Sequence, residues 1–183
     1  MPRFCQISLC WLLLLIPVSV AAMSRQFDAD AVVTMQNGNP CFSYPPNEEK
    51  LFGYHLSVSK IGRQSAVEWD IQKFHYDKLN MPEPNSPEHC IEYGVVNYEL
   101  EVKQVAEPLL TDTPYRVFIS VAEAPTDQRY RYLRKFAADF CISSNQQGEP
   151  VIVGTLVDGS GGWHCLKPGE STKRGFWQKL FGK

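Results

Sequence analysis

The sequence predicts an all-β protein, a small immunoglobulin-like β-sandwich of about 7–9 antiparallel strands held by disulfides. Three observations predict it. Short runs rich in Val, Ile, Tyr and Phe alternate apolar with polar residues and are separated by Gly, Pro, Asn and Asp clusters. Helical stripes are absent until the final residues. Four cysteines follow an export-type leader, and an even count in an exported chain reads as two bridges.

In the leader, Arg3 precedes an apolar stretch over residues 9–20, and Pro17, Ser19, Ala21 and Ala22 supply a small-residue cleavage region. Residues 1–22 are therefore expected to be a signal peptide cut near Ala21 or Ala22, because spanning a bilayer takes about 20 apolar residues. Cys5 and Cys10 lie before or at the start of that stretch, so no lipid-attachment Cys follows it. About 160 residues then remain, which suits one domain with one core. The expected division is a sandwich over residues 23–158 and a Gly-rich elbow with a basic aromatic tail over residues 159–183.

Residues 31–35 and 40–44 flank Asn37-Gly38, and this pair supplies the two positive φ angles that a type I′ hairpin turn demands. Residues 52–60 set Tyr54, Leu56 and Val58 against His55, Ser57 and Ser59. Residues 66–74 set Val67, Trp69 and Ile71 against Glu68, Asp70 and Gln72, so the two runs form a second hairpin with Trp69 anchoring the core. The stretch from Met81 to Cys90 holds three prolines and is expected to be a surface crossover, since proline lacks the ladder donor. Further strands are expected over residues 97–105, 115–121, 130–142 and 151–157. Good helix formers at residues 133–138 offer a short helix instead, but the alternation of Arg129, Tyr130, Arg131 and Tyr132 favours strand.

Cys41, Cys90, Cys141 and Cys165 allow three pairings, of which Cys41 with Cys90 and Cys141 with Cys165 is favoured. The order Cys41, Trp69, Cys141 meets an immunoglobulin pattern only in part, because no Tyr stands two places before Cys141. A zinc site of these cysteines with His89 and His164 lacks any Cys-x-x-Cys spacing.

The net charge of -2 divides unevenly: residues 23–166 carry 12 basic and 19 acidic residues, residues 167–183 five basic and one acidic. An acidic body disfavours nucleic acid and suits a basic protein partner. In the tail, Phe176, Trp177, Leu180 and Phe181 fall at helical spacing against Lys179 and Lys183. Membrane contact, if any, is expected through this tail alone.

Catalytic and cofactor motifs are missing. Gly159-Ser160-Gly161 lacks the residues of a nucleophile elbow, His55, His75, His89 and His164 have no metal spacing, and no phosphate loop occurs. Glu99 and Glu101 share a strand face with Lys103, the composition of a solvated side. Arg129 and Arg131 alternate with Tyr130 and Tyr132, so the tyrosines cannot stack beside the arginines as a nucleic-acid platform would need. The protein is therefore expected to be non-catalytic and to use no cofactor or metal.

Pro40-Cys41-Phe42-Ser43-Tyr44-Pro45 after the hairpin, Pro87-Glu88-His89-Cys90 before Tyr93-Gly94, Tyr115-Arg116-Val117, and Arg129-Tyr130 leading to Phe140-Cys141-Ile142 together resemble a family of short bacterial periplasmic lipoproteins, the type VI secretion immunity proteins. The resemblance covers residues 28–157. It implies a small periplasmic sandwich that binds and neutralises an injected toxin, here without the family's lipid-attachment Cys. The alternative is a non-catalytic sandwich of an envelope or surface assembly. Candidate contacts with a toxin are Pro82, Glu83, Glu88, His89, Asp127 and Gln128 on loops, with Phe176, Trp177 and Phe181 in the tail.

Overall fold

The turn at Asn37-Gly38 forms as its residues dictate, with φ of 51° and 84°. It joins β2 (Val32–Gln36) to β3 (Asn39–Ser43) in an antiparallel hairpin. The computed structural model describes residues 27–46, 51–62, 65–74, 83–97, 100–123 and 133–170. The leader, the tail residues Phe176, Trp177 and Phe181, and the stretch from Arg129 to Tyr132 lie outside the described residues.

The protein is all-β. A large sheet runs in the order β1 (Ala29–Asp30), β9 (Leu133–Ser144), β8 (Tyr115–Glu123), β4 (Leu51–Lys60), β5 (Val67–Phe74), β7 (Glu101–Gln104). A three-stranded sheet of β2, β3 and β6 (Ile91–Glu92) covers one face of it. Alternation along β4, β5 and β8 sends Leu56, Val58, Trp69, Ile71, Val117 and Ile119 inward, and each is fully buried. Across the layer, Phe42 meets Phe140 at 5.6 Å between ring centroids, Tyr44 stacks on Phe136 at 5.1 Å, and Trp69 meets Tyr93 edge-on at 5.1 Å.

Residues 133–138 are strand rather than helix, because β9 is paired rung by rung with β8 from Leu133 to Phe140. The favoured disulfides are both present. Cys41–Cys90 closes the small sheet on itself, and Cys141–Cys165 ties the chain after β9 back to it. Trp69 therefore has no inter-sheet Cys41–Cys141 bridge to rest on, and the immunoglobulin arrangement of disulfide and tryptophan is not the one used.

Four expectations change in detail. Among the described residues there are twelve strands instead of the expected 7–9, because β1 and β6 have two residues each and β11 (Thr155–Val157) and β12 (Trp163–Cys165) three, too few to leave a pattern. One pairing, β1 with β9, is parallel. Val67 is exposed although its parity points inward, because a register shift between Val58 and Ser59 displaces the start of β5. The expected strand over residues 97–105 is ordered as β7 alone, and Tyr98 and Glu99 lie outside the described residues.

The run over residues 151–157 divides at Gly154: β10 (Pro150–Val153) pairs with β9, and β11 pairs with β12. A Cβ at Gly154 would stand 3.3 Å from the Leu166 side chain, so a larger residue at this crossing would require Leu166 to shift by a few tenths of an ångström. The Gly-rich stretch 159–162, expected as an elbow, is the turn of the β11–β12 hairpin.

Trp69 is the largest fully buried side chain, and its Nε1 has no acceptor among the described residues. Trp69→Ala is expected to cost about 3–5 kcal/mol. Trp69→Phe should cost clearly less, since it removes an orphaned donor together with part of the ring. Urea unfolding of both variants checks the ranking.

Candidate functional site

The candidate loop residues divide sharply. Pro82, Asp127 and Gln128 lie outside the described residues, whereas Glu83, Glu88 and His89 belong to one crossover. There Pro87–His89 forms a single 3-10 turn, with proline at its start where a missing N–H costs nothing. Glu88 and His89 are exposed, and Glu83 is half-buried. The Glu88 carboxyl is held below the usual range by its own backbone amide and by Ser86.

Three attachments brace this turn. Cys90 is bonded to Cys41, the Tyr44 amide donates to the Pro84 carbonyl at 3.0 Å, and Asn37 and Asn39 donate to the Glu92 carboxylate at 3.1 and 2.9 Å. The amides of Asn39 and Asn37 hold Glu92 ionised below its usual range. Gln36 Oε1 sits 3.2 Å from both sulfurs, so the hairpin tip and the crossover meet at the disulfide. Behind it Tyr93 donates its hydroxyl to the Glu107 carbonyl at 2.7 Å, and burial keeps that phenol protonated far above its usual range.

The outer face of the large sheet is polar and open. His55 Nε2 lies 2.8 Å from Asp70 Oδ1, Ser120 stands opposite His55 and Ser57 opposite Asp70, and Phe118 is flanked by Phe27. At one end of β8, Arg116 donates twice to Asp139, from Nε at 2.6 Å and Nη2 at 2.9 Å, and its guanidinium lies 5.7 Å from the Trp163 ring centre. Hydrogen bonding to Asp139 raises the Arg116 pKa further. The sequence reading missed this group. Its only signal is a charged residue at outward parity on each of two strands, and which residues oppose each other depends on register.

Asp158 organises the β11–β12 turn. Its Oδ1 accepts from the Ser160 hydroxyl at 2.6 Å and from the amides of Ser160 and Gly162 at 2.8 Å, and its Oδ2 lies 2.6 Å from His164 Nε2. Ser160, then His164 and Gly162, hold its carboxyl far below the usual range. The carboxylate lies between hydroxyl and imidazole, so the imidazole does not reach the hydroxyl it would have to deprotonate. The arrangement braces a turn. Glu101 is likewise engaged by Lys103 and Gln72. Among the described residues no group of three or more His, Cys, Asp or Glu side chains could hold a metal ion.

Fold and disulfides together define an all-β, disulfide-stabilised protein of the kind that matures in an oxidising compartment. No family model, curated protein or solved structure matches the chain.

Because the folded Asp158 pKa is depressed, its contribution is present above the ordinary aspartate pKa and is lost only as pH falls through the lower folded value. Asp158→Ala is expected to speed amide hydrogen exchange at Ser160 and Gly162 at neutral pH while leaving β4 and β8 unchanged. Residue-resolved exchange by NMR checks it.

Proposed function

We propose that this is an exported bacterial binding module, an immunity protein of the type VI secretion class, which neutralises a periplasm-acting toxin by covering its active cleft. The observation that carries this reading is the braced crossover turn, which displays Glu88 and His89 to solvent on a rigid two-layer scaffold. A loop held in this way loses little conformational freedom on binding, which raises affinity without requiring a large contact area. The excess of acidic residues in the body suits a toxin whose cleft is basic. In this reading the protein performs no catalysis and needs no cofactor.

Strand addition, as an envelope component would use it, is less well served. At the β7 edge Glu101 and Lys103 pair with each other, and the β5–β7 register shifts between Asp70 and Ile71. Edge charges and bulges of this kind oppose pairing with another strand. The opposite edge is divided between β1, only two residues long, and β10, four residues that begin at Pro150, whose missing N–H also opposes a ladder there.

The test is co-expression with the effector encoded beside the gene, directed to the periplasm. The wild-type chain is expected to restore growth and to co-purify with the effector. Glu88→Lys should fold normally and weaken binding by about tenfold or more, since it reverses charge where the loop meets its partner. Equal protection with and without the chain, or no complex between the purified proteins, removes the reading.

A further inference from the structure

On the face of the large sheet turned away from β2, β3 and β6, strand register fixes which side chains stand together. Gln72, His55, Ser120 and Lys135 form one cross-strand row, and Asp70, Ser57, Phe118, Ala137 and Asp30 form the next. Five strands at about 4.8 Å spacing make this face about 19 Å wide. The β11–β12 hairpin bounds one end of it, where Trp163 lies against Arg116.

Charge is matched at the centre of this face. His55 lies 2.8 Å from Asp70, Arg116 holds Asp139 through two hydrogen bonds, and Lys135 stands beside Asp28, whose carboxylate accepts its amide. Among the described residues none of the exposed large hydrophobic side chains belongs to either row, so the face lacks the apolar centre of a protein interface. It offers a ring and hydroxyls instead. Phe118 is half-buried, and the Phe27 and His55 rings, with centroids 6.1 and 6.4 Å away and planes steeply inclined to it, hold its orientation. The hydroxyls of Ser57, directly opposite Phe118 on β4, and of Ser120, two residues along β8, have no hydrogen-bond partner among the described residues. Asp70, opposite Ser57 on the other side, spends one carboxylate oxygen on His55 and keeps the second for another donor.

We propose that this face binds a neutral oligosaccharide, with a sugar ring seated on Phe118 and its hydroxyls on Ser57, Ser120 and Asp70. A pyranose carries C–H groups on its faces and hydroxyls around its rim, so it needs an apolar plane with hydrogen-bonding groups beside it. Phe118 and its neighbours in the two rows supply both. Matched charge suits a ligand that has none, since a surface with little net field favours neither a cation nor an anion. The Glu88 turn is attached to β3, on the opposite side of the large sheet, so occupancy of this face does not depend on the immunity reading.

The experiment is an NMR titration of the oxidised chain with cellotetraose, chitotetraose and maltotetraose as probes and glucose as the monomer control. Saturable shifts centred on the amides of Ser57, Phe118 and Ser120 are expected with at least one tetrasaccharide, and much weaker binding with glucose. A preference among the three identifies the linkage and supports the proposal. Phe118→Ala should weaken binding about tenfold, the upper end of what one aromatic contact contributes. Ser57→Val suits an outer strand position, so it tests the face even if the Phe118 variant fails to fold, and the lost hydroxyl should weaken binding clearly. No saturable shift with any tetrasaccharide at millimolar concentration, shifts confined to another face, or undiminished binding by Ser57→Val overturns the proposal. Concentration-dependent shifts of the same amides without sugar also overturn it, because they assign the face to a second copy of the chain.

Discussion

Everything else in the molecule hangs on the aromatic contact between its two layers. Phe42 and Tyr44 from β3, with Tyr93 just beyond β6, present rings to Phe140, Phe136 and Trp69 on the large sheet. Each such ring can bury about 150–250 Å², so a three-stranded sheet with few residues still contributes a large share of the core. Short strands suffice because the Cys41–Cys90 bond and the Asn–Glu92 hydrogen bonds prevent the small sheet from fraying at its open side. The Pro87–His89 turn inherits its position from this arrangement, since its attachments run to β3.

What was legible in the sequence is what depends on neighbours a few residues apart. Asn37-Gly38 specifies its hairpin through two backbone angles, and Trp69 announces itself on an alternating strand. Val67 was misread for a local reason with a distant cause: only pairing with β4 reveals the displaced register. The division at Gly154 escaped notice because residues 151–157 read as one run of strand-forming residues and what distinguishes β10 from β11 is the strand each pairs with. Arg116 and Asp139 are 23 residues apart and meet only because β8 and β9 pair in one register, so no spacing rule could have found them. The exposed turn at Glu88 was anticipated from its prolines, which exclude a strand and leave a crossover.

Charge on this protein is organised by sheet face more than by net balance. On the outer face His55 faces Asp70, Arg116 faces Asp139 and Lys103 faces Glu101, so most of the polar surface is internally matched. Pairs this exposed add little to stability. Their effect is on recognition, because a matched surface presents little net field, so that an exposed carboxylate outside these pairs, such as Glu88, carries more of the local field.

The parallel pairing of β1 with β9 has a consequence for the order of assembly. Asp28 and Lys135 join through a backbone bond at 2.8 Å and a side-chain bond at 2.7 Å across 107 residues. Closing so long a loop is entropically the costliest step, and it is compensated only once β9 is already seated on β8. The strand that comes earliest among the described elements, β1, is thus the last to lock into the sheet.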